Sequence, residues 1–240
     1  MAMSGNQKLL RDMIIEGFGA FFILSMRFSY NSTLLTANVQ DSVIGEALVV
    51  ALLIWFGQAI TGAYYFSSIT IMSMINKSLE FKRGLWFLLA QCLGCFISAT
   101  VYYYRYNGDS RTRNKLYPFN AQLSNGPQGT DLLKEFFMEF LSTMFFAMFV
   151  AAFKIYKQCP EAMAAPLVGL SYGAFSKAIL YRTAGLLDFF FYLAPAVLWS
   201  KLNSYIIVFI LGPPLGAIAG YYLFNFIFTS PKGGKSSDRM

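Results

Sequence analysis

Two glutamates, Glu16 and Glu139, stand 123 residues apart inside otherwise apolar runs, and each opens one half of the chain. The two strings are Glu16-Gly17-Phe18-Gly19-Ala20-Phe21-Phe22 and Glu139-Phe140-Leu141-Ser142-Thr143-Met144-Phe145. A carboxylate within a membrane helix is expensive unless it faces the protein interior and accepts hydrogen bonds there. Glu16 and Glu139 are therefore expected to be structural buried acids that accept from buried backbone groups. Repetition of so costly a feature points to duplicated halves. Halves with an odd number of crossings form inverted repeats, and any pathway then lies at the midplane where they meet.

With 56% hydrophobic and 13% charged residues in 240, the chain has too little polar material to clothe a soluble surface. Six apolar segments are long enough to cross a hydrocarbon core of about 30 Å. They fall near 9–28, 43–62, 84–104, 132–153, 162–181 and 204–228. Two shorter apolar stretches, near 66–76 and 188–199, are too short to cross and too apolar for ordinary loops. Such backbone is tolerated at membrane depth only where protein buries it, so both read as re-entrant segments. The expected organisation is a first membrane repeat over 1–104, a polar inter-repeat loop over 105–131, a second repeat over 132–229 and a polar tail over 230–240.

The net charge of +7 reads as lipid headgroup contact and topology rather than nucleic-acid binding. Lys8, Arg11, Lys77, Lys82, Arg83, Lys154, Lys157, Lys232, Lys235 and Arg239 gather on one face, which places both termini on the cytoplasmic or matrix-like side. Arg105, Arg111, Arg113 and Lys115 lie on the other, so the positive-inside bias is weak. That weakness favours an organellar, mitochondrial-type inner membrane over the plasma membrane. The first apolar segment runs on as a full span with Glu16 embedded, unlike a cleavable signal. The sequon Asn31-Ser32-Thr33 faces outward in this topology, and Asn76-Lys77-Ser78 faces inward. Cys92 and Cys95 are one helical turn apart in the third segment, with no second pair and no histidine in the chain, so they and Cys159 read as packing residues and no metal or cofactor is expected. Without histidine or a nucleophile constellation, an enzyme is not expected either.

The order of short motifs adds a resemblance. Thr61-Gly62-Ala63-Tyr64-Tyr65-Phe66-Ser67-Ser68-Ile69-Thr70, then Ala90-Gln91-Cys92-Leu93-Gly94, Gly169-Leu170-Ser171 and Gly212-Pro213-Pro214-Leu215-Gly216-Ala217 follow one another as comparable strings do in the aquaporin or major intrinsic protein family. The chain resembles that family over nearly its whole length. The resemblance implies an all-α membrane protein, an aquaporin-like inverted repeat of six transmembrane helices plus two re-entrant half-helices.

It also implies where pore chemistry belongs, and there the chain departs. Two Asn-Pro-Ala boxes cap the family's half-helices; here the corresponding positions read Phe66-Ser67-Ser68 and Asp188-Phe189-Phe190. Ser67 or Asp188 is still suited to capping a helix, and Asp188 is alternatively a midplane proton or cation site. The family's four filter positions, carried over by spacing from the boxes, fall on Glu46, Ser176, Gly185 and Phe191. Phe191 stands where the family has an arginine that excludes cations. Glu46 reverses the sign of the mouth unless Lys177 or Arg182 pairs with it. Large rings at Phe66, Tyr64 and Phe189 to Tyr192 narrow the lumen and favour dewetting. Gly212, Gly216 and Gly220 permit close helix approach, inside the chain or between copies.

Two readings of function follow. The first is a poorly or non-conducting structural or accessory subunit of a larger membrane complex. The second is an unorthodox channel for water or small neutral solutes, in which Ser67, Ser68 and Ser176 line the path. Expected partners are membrane lipids and either other subunits or, as in the family, a homotetramer.

Overall fold

The computed structural model describes residues 4–33, 39–106 and 131–229, with side chains outside the description at 30–33, 39–43, 106, 131, 181 and 182. Most of the polar loop and the tail thus fall outside the described residues, as do the side chains of the Asn31 sequon and of Arg182.

A long helix occupies most of each of the six apolar segments: α1 (Gly5–Thr33), α2 (Val39–Gly57, which stops short of the expected end at 62), α4 (Phe81–Tyr106), α5 (Asp131–Val150, continued by one π-helical turn, Ala151–Ile155), α6 (Glu161–Ala178) and α9 (Ile206–Phe228). Two short helices, α3 (Ser67–Ile75) and α8 (Phe189–Leu198), lie on the two short apolar stretches, and a single turn, α7 (Leu180–Thr183), precedes α8. By length and apolarity alone, Phe81–Arg105, Leu132–Ile155 and Ile206–Phe228 suffice to cross a membrane. In α2 the described apolar run, Ile44–Gly57, is shorter. Charged residues interrupt α1 and α6, and of those in α1 and α2, Asp12, Glu16, Arg27 and Glu46 are buried.

Local chemistry sets several boundaries. Ser4 and Gln7 cap α1 reciprocally, the Ser4 amide donating to Gln7 Oε1 at 2.9 Å and the Gln7 amide to Ser4 Oγ at 3.4 Å. Pro160 stops the chain before α6, and Glu161 places a carboxylate in its first turn. Pro166 and the Pro213-Pro214 pair remain inside helices, where neighbouring helices re-satisfy freed backbone groups.

Pairing between helices reveals the repeat. In the first half α1 and α4 run parallel: Asp12 meets Arg83, Gly17 meets Ala90 and Gly94, Ser25 Oγ lies 2.9 Å from Ser98 Oγ, and Phe28 stacks on Tyr102. In the second half α5 and α9 run parallel, with Gly212 against Glu139, Gly216 against Phe140 and Gly220 against Met144. The three glycines therefore serve packing within the chain. Between the halves, α2 and α6 run antiparallel, Glu46 meeting Tyr172 while Ala47 and Ala51 meet Gly169.

Both seams depend on close backbone approach. A Cβ on Gly94 would overlap the Gly17 carbonyl, which is backbone and cannot yield as a flexible side chain does. Gly94→Val is expected to cost about 1–3 kcal/mol, read as a lowered thermal midpoint in detergent. Gly5→Ala, at a position where nothing lies within 4 Å of the added carbon, should leave the midpoint unchanged.

Candidate functional site: the centre of the bundle

Each half-helix is entered through a strained turn. Before α3, Gly62, Ala63 and Tyr65 have φ of 97°, 51° and 44°; before α8, Ala184, Gly185 and Leu187 have 61°, 61° and 54°. Non-glycine residues in this left-handed region cost about 1–3 kcal/mol each and persist only where their surroundings over-determine them. The repeated glutamates supply that restraint. Glu16 accepts from the amides of Tyr64 (3.1 Å) and Tyr65 (2.8 Å), from Thr61 Oγ1 (2.6 Å) and from Gln91 Nε2 (3.1 Å). Glu139 accepts from the amide of Leu187 at 3.1 Å, beside Thr183 and Leu186. Tyr65 and Leu187 each stand two residues ahead of their half-helix, so the two restraints are equivalent across the repeat.

The amino termini of α3 and α8 meet at Asp188. Its Oδ1 accepts from the amides of Phe190 (2.8 Å) and Phe191 (3.4 Å), capping α8 in the ordinary way. Its Oδ2 accepts from the amide and, at 2.7 Å, the hydroxyl of Ser67, the first residue of α3. The residue in the cap position of α3 is Phe66, which makes no side-chain capping bond. One carboxylate therefore caps both half-helices, and Ser67 is a donor to that cap. Ser68 Oγ donates to the Leu187 carbonyl at 3.1 Å. All three hydroxyl or carboxyl groups are buried and engaged with protein.

Aromatic rings fill the level beside this junction. The Phe66 ring lies 5.4 Å from Phe146, 4.9 Å from Tyr172 and 5.7 Å from Phe191, centroid to centroid, and all four are buried. Tyr192 stacks on Phe209 at 4.5 Å, while Phe189 and Phe190 are half-buried and tilted against each other.

Towards the end of the bundle where α1 finishes, Glu46, Ser176 and Gly185 converge on a residue the sequence reading did not weigh, Arg27 of α1. Its Nε donates to Glu46 Oε1 (2.8 Å), its Nη1 to the carbonyls of Ala184 (3.0 Å) and Gly185 (2.6 Å), and its Nη2 to Tyr172 Oη (2.8 Å) and Ser176 Oγ (2.6 Å). A guanidinium has five N–H donors, and all five are used. Tyr172 also donates to Glu46 Oε1 at 3.0 Å, and Ser176 to the Gly185 carbonyl at 2.8 Å, which closes the network. Arg27 is 3% exposed and Glu46 7%. This corrects the expected partner of Glu46: Lys177 is exposed on α6, and the salt bridge is to Arg27. Phe191 stays out of the polar ring, packed on Phe66.

The opposite turn is held in the same way. Lys154, presented by the π-helical turn after α5, donates to the carbonyls of Gly62 and, at 2.9 Å, Ala63, and its ammonium lies 5.3 Å from the centroid of Tyr64. Each repeat thus sends a cation into the strained turn of the other: Arg27 onto Ala184 and Gly185, Lys154 onto Gly62 and Ala63. A recess of about 410 Å³ reaches inward to Lys154, Tyr64 and Ile69, with Ser73, Cys159 and Glu161 among its walls. Arg27 and Lys154 were both legible as charges inside or at the end of an apolar segment, the same signal that singled out Glu16.

The comparisons bear on this architecture. The family model described as "Major intrinsic protein" matches residues 4–224. The chain belongs to the major intrinsic protein family. Its members are channels rather than enzymes. Among solved structures, the X-ray structure of the aquaglyceroporin from Plasmodium falciparum superposes with a TM-score of 0.78 at 18% identity, covering 92% of this chain and 97% of that one. At that identity the likeness establishes the fold: an all-helical, aquaporin-type membrane protein. No curated protein matches the chain.

Proposed function

We propose that this major intrinsic protein is a poorly conducting or non-conducting member, retained as a structural or accessory subunit of a larger membrane assembly. The observation that carries the reading is the saturation of Arg27. A filter guanidinium helps a permeant only if it has hydrogen-bond donors to offer, and every donor of Arg27 is spent on Glu46, Tyr172, Ser176, Ala184 and Gly185. Below it, Phe66, Phe146, Tyr172 and Phe191 present apolar surface where a water column would need polar partners. The box positions Ser67, Ser68 and Asp188 bond to one another and to backbone, and the carbonyls of both entry turns are taken by Lys154 and Arg27. Residues whose pore roles follow from the resemblance are thus spent on holding the bundle together.

A second reading keeps one specific support: the 410 Å³ recess that ends at Lys154 is the size of a solute vestibule. In that reading the protein is an aquaporin-type channel for water or small neutral solutes, closed in this conformation. Stopped-flow light scattering on proteoliposomes, under gradients of an impermeant sugar, glycerol and urea, separates the two. Shrinkage at the rate of empty vesicles is expected, and fast solute or water flux would favour the channel. Mild-detergent chromatography tests the assembly half of the proposal. Co-elution with defined partner chains is expected, and a free homotetramer alone contradicts it.

A further inference from the structure

The recess of about 410 Å³ that ends at Lys154 differs from the centre of the bundle in what its polar groups do. At the centre, Ser67, Ser68 and Asp188 bond to one another and to backbone, and Arg27 spends all five donors on protein. In the recess, polar groups are left over. An ammonium has three N–H donors, and Lys154 spends two of them, on the carbonyls of Gly62 and Ala63. Among the described residues no carboxylate lies within ion-pair distance of Lys154. Ser73 of α3 lines the same recess and is only 2% exposed, yet among the described residues its hydroxyl makes no hydrogen bond to protein. The side-chain amide of Gln58, half-buried just beyond α2, makes none either. Buried polar groups are ordinarily paired, and an uncompensated cation is the costliest exception. Several such groups in one concave, partly apolar site mark where the polar atoms of a ligand belong.

The charge of the walls narrows the ligand class. At the rim, where α5 gives way to α6, the recess adds Lys157 and Glu161, both exposed. The ammoniums of Lys154 and Lys157 against the single carboxylate of Glu161 leave one positive charge over. Ile69, Val150 and Phe153 supply apolar wall between the inner end and the rim.

We propose that this recess binds a short-chain monocarboxylate, its carboxylate accepting from the third N–H of Lys154 and from the Ser73 hydroxyl, and its hydrocarbon body lying against Ile69, Val150 and Phe153. Lys157 adds attraction at the rim. A neutral solute brings no charge to Lys154, and a dianion brings a second negative charge into a site that already holds Glu161. Binding requires no passage through the Phe66 cluster, so it stands or falls separately from whether the pore conducts.

Isothermal titration calorimetry of the full chain in neutral detergent, at constant ionic strength, tests this with sodium butyrate, its uncharged isostere butyramide and inorganic phosphate. Butyrate is expected to bind saturably and about tenfold or more tighter than either of the others, because only it makes charge-assisted contacts without a second charge. Lys154→Met should weaken butyrate by about tenfold or more. Because Lys154 also restrains the turn before α3, a second variant, Ser73→Ala/Lys157→Gln, leaves that restraint in place. It should weaken butyrate about fivefold with an unchanged thermal midpoint. Lys8→Gln/Lys82→Gln removes two positive charges at exposed positions outside the recess and should leave the affinity as it is. Absence of saturable butyrate binding, butyramide or phosphate binding as tight as that of butyrate, or equal affinities in the two double variants would overturn the proposal.

Discussion

Arg27→Met is expected to destabilise the protein by about 3–5 kcal/mol, because it leaves the buried Glu46 carboxylate without its counter-charge. Tyr172 remains as a donor to Glu46, but the carbonyls of Ala184 and Gly185 and the hydroxyls of Tyr172 and Ser176 lose a donor at once. The second half of the prediction concerns the partner. Replacing a buried ion pair by apolar residues of similar volume is often close to neutral, so adding Glu46→Leu to Arg27→Met should restore much of the loss. Denaturant or thermal unfolding in detergent reads both, and a double-mutant cycle should return a coupling of about 2 kcal/mol or more. Additive losses would mean that the two side chains are not linked as described.

The second large effect is expected at Asp188. Asp188→Ala leaves the Ser67 amide and hydroxyl and the Phe190 amide without an acceptor in a site closed to water. Each buried unsatisfied group costs about 1–3 kcal/mol, which puts the variant about 3–5 kcal/mol below wild type. Asp188→Asn is expected to fall between, because its oxygen can cap one helix while its amide nitrogen, a donor, faces the other helix's amides. Hydrogen exchange distinguishes this from general loosening. Peptides covering Ser67–Ile75 and Phe189–Leu198 should lose protection together, although Ser67 and Asp188 are 121 residues apart in sequence. Loss confined to Phe189–Leu198 would show that α3 does not depend on Asp188.

Much of this was legible before any coordinates. Hydropathy and the glutamate repeat outlined the helices, and the order of short motifs pointed to the family, because helix packing at Gly94, Gly169 and Gly216 tolerates few residue types. The partner choices were less legible. Lys177 and Arg182 suggest themselves as partners of Glu46 because they flank the family filter positions Ser176 and Gly185, whereas Arg27 belongs to none of the motifs. Arg27 reaches Glu46 only once α1 and α2 pack, a contact that no spacing announces. The cap on α3 was hidden for the same reason: a local reading looks for it at Phe66 or Ser67, whereas the carboxylate arrives from the other repeat. The strained turns were legible at neither Tyr65 nor Leu187, since neither residue type favours positive φ. They exist because Glu16 and Glu139 restrain them.

The proposed function makes two seals in series of the Arg27 network and the Phe66 ring cluster, and stopped-flow shrinkage of proteoliposomes tests them most directly. Four proteins are compared: wild type, Arg27→Ala/Glu46→Ala, Phe66→Ala, and the triple variant. Series seals predict that wild type and either single opening shrink no faster than empty vesicles, while the triple variant conducts water. Wild-type flux clearly above empty vesicles would contradict a sealed pore.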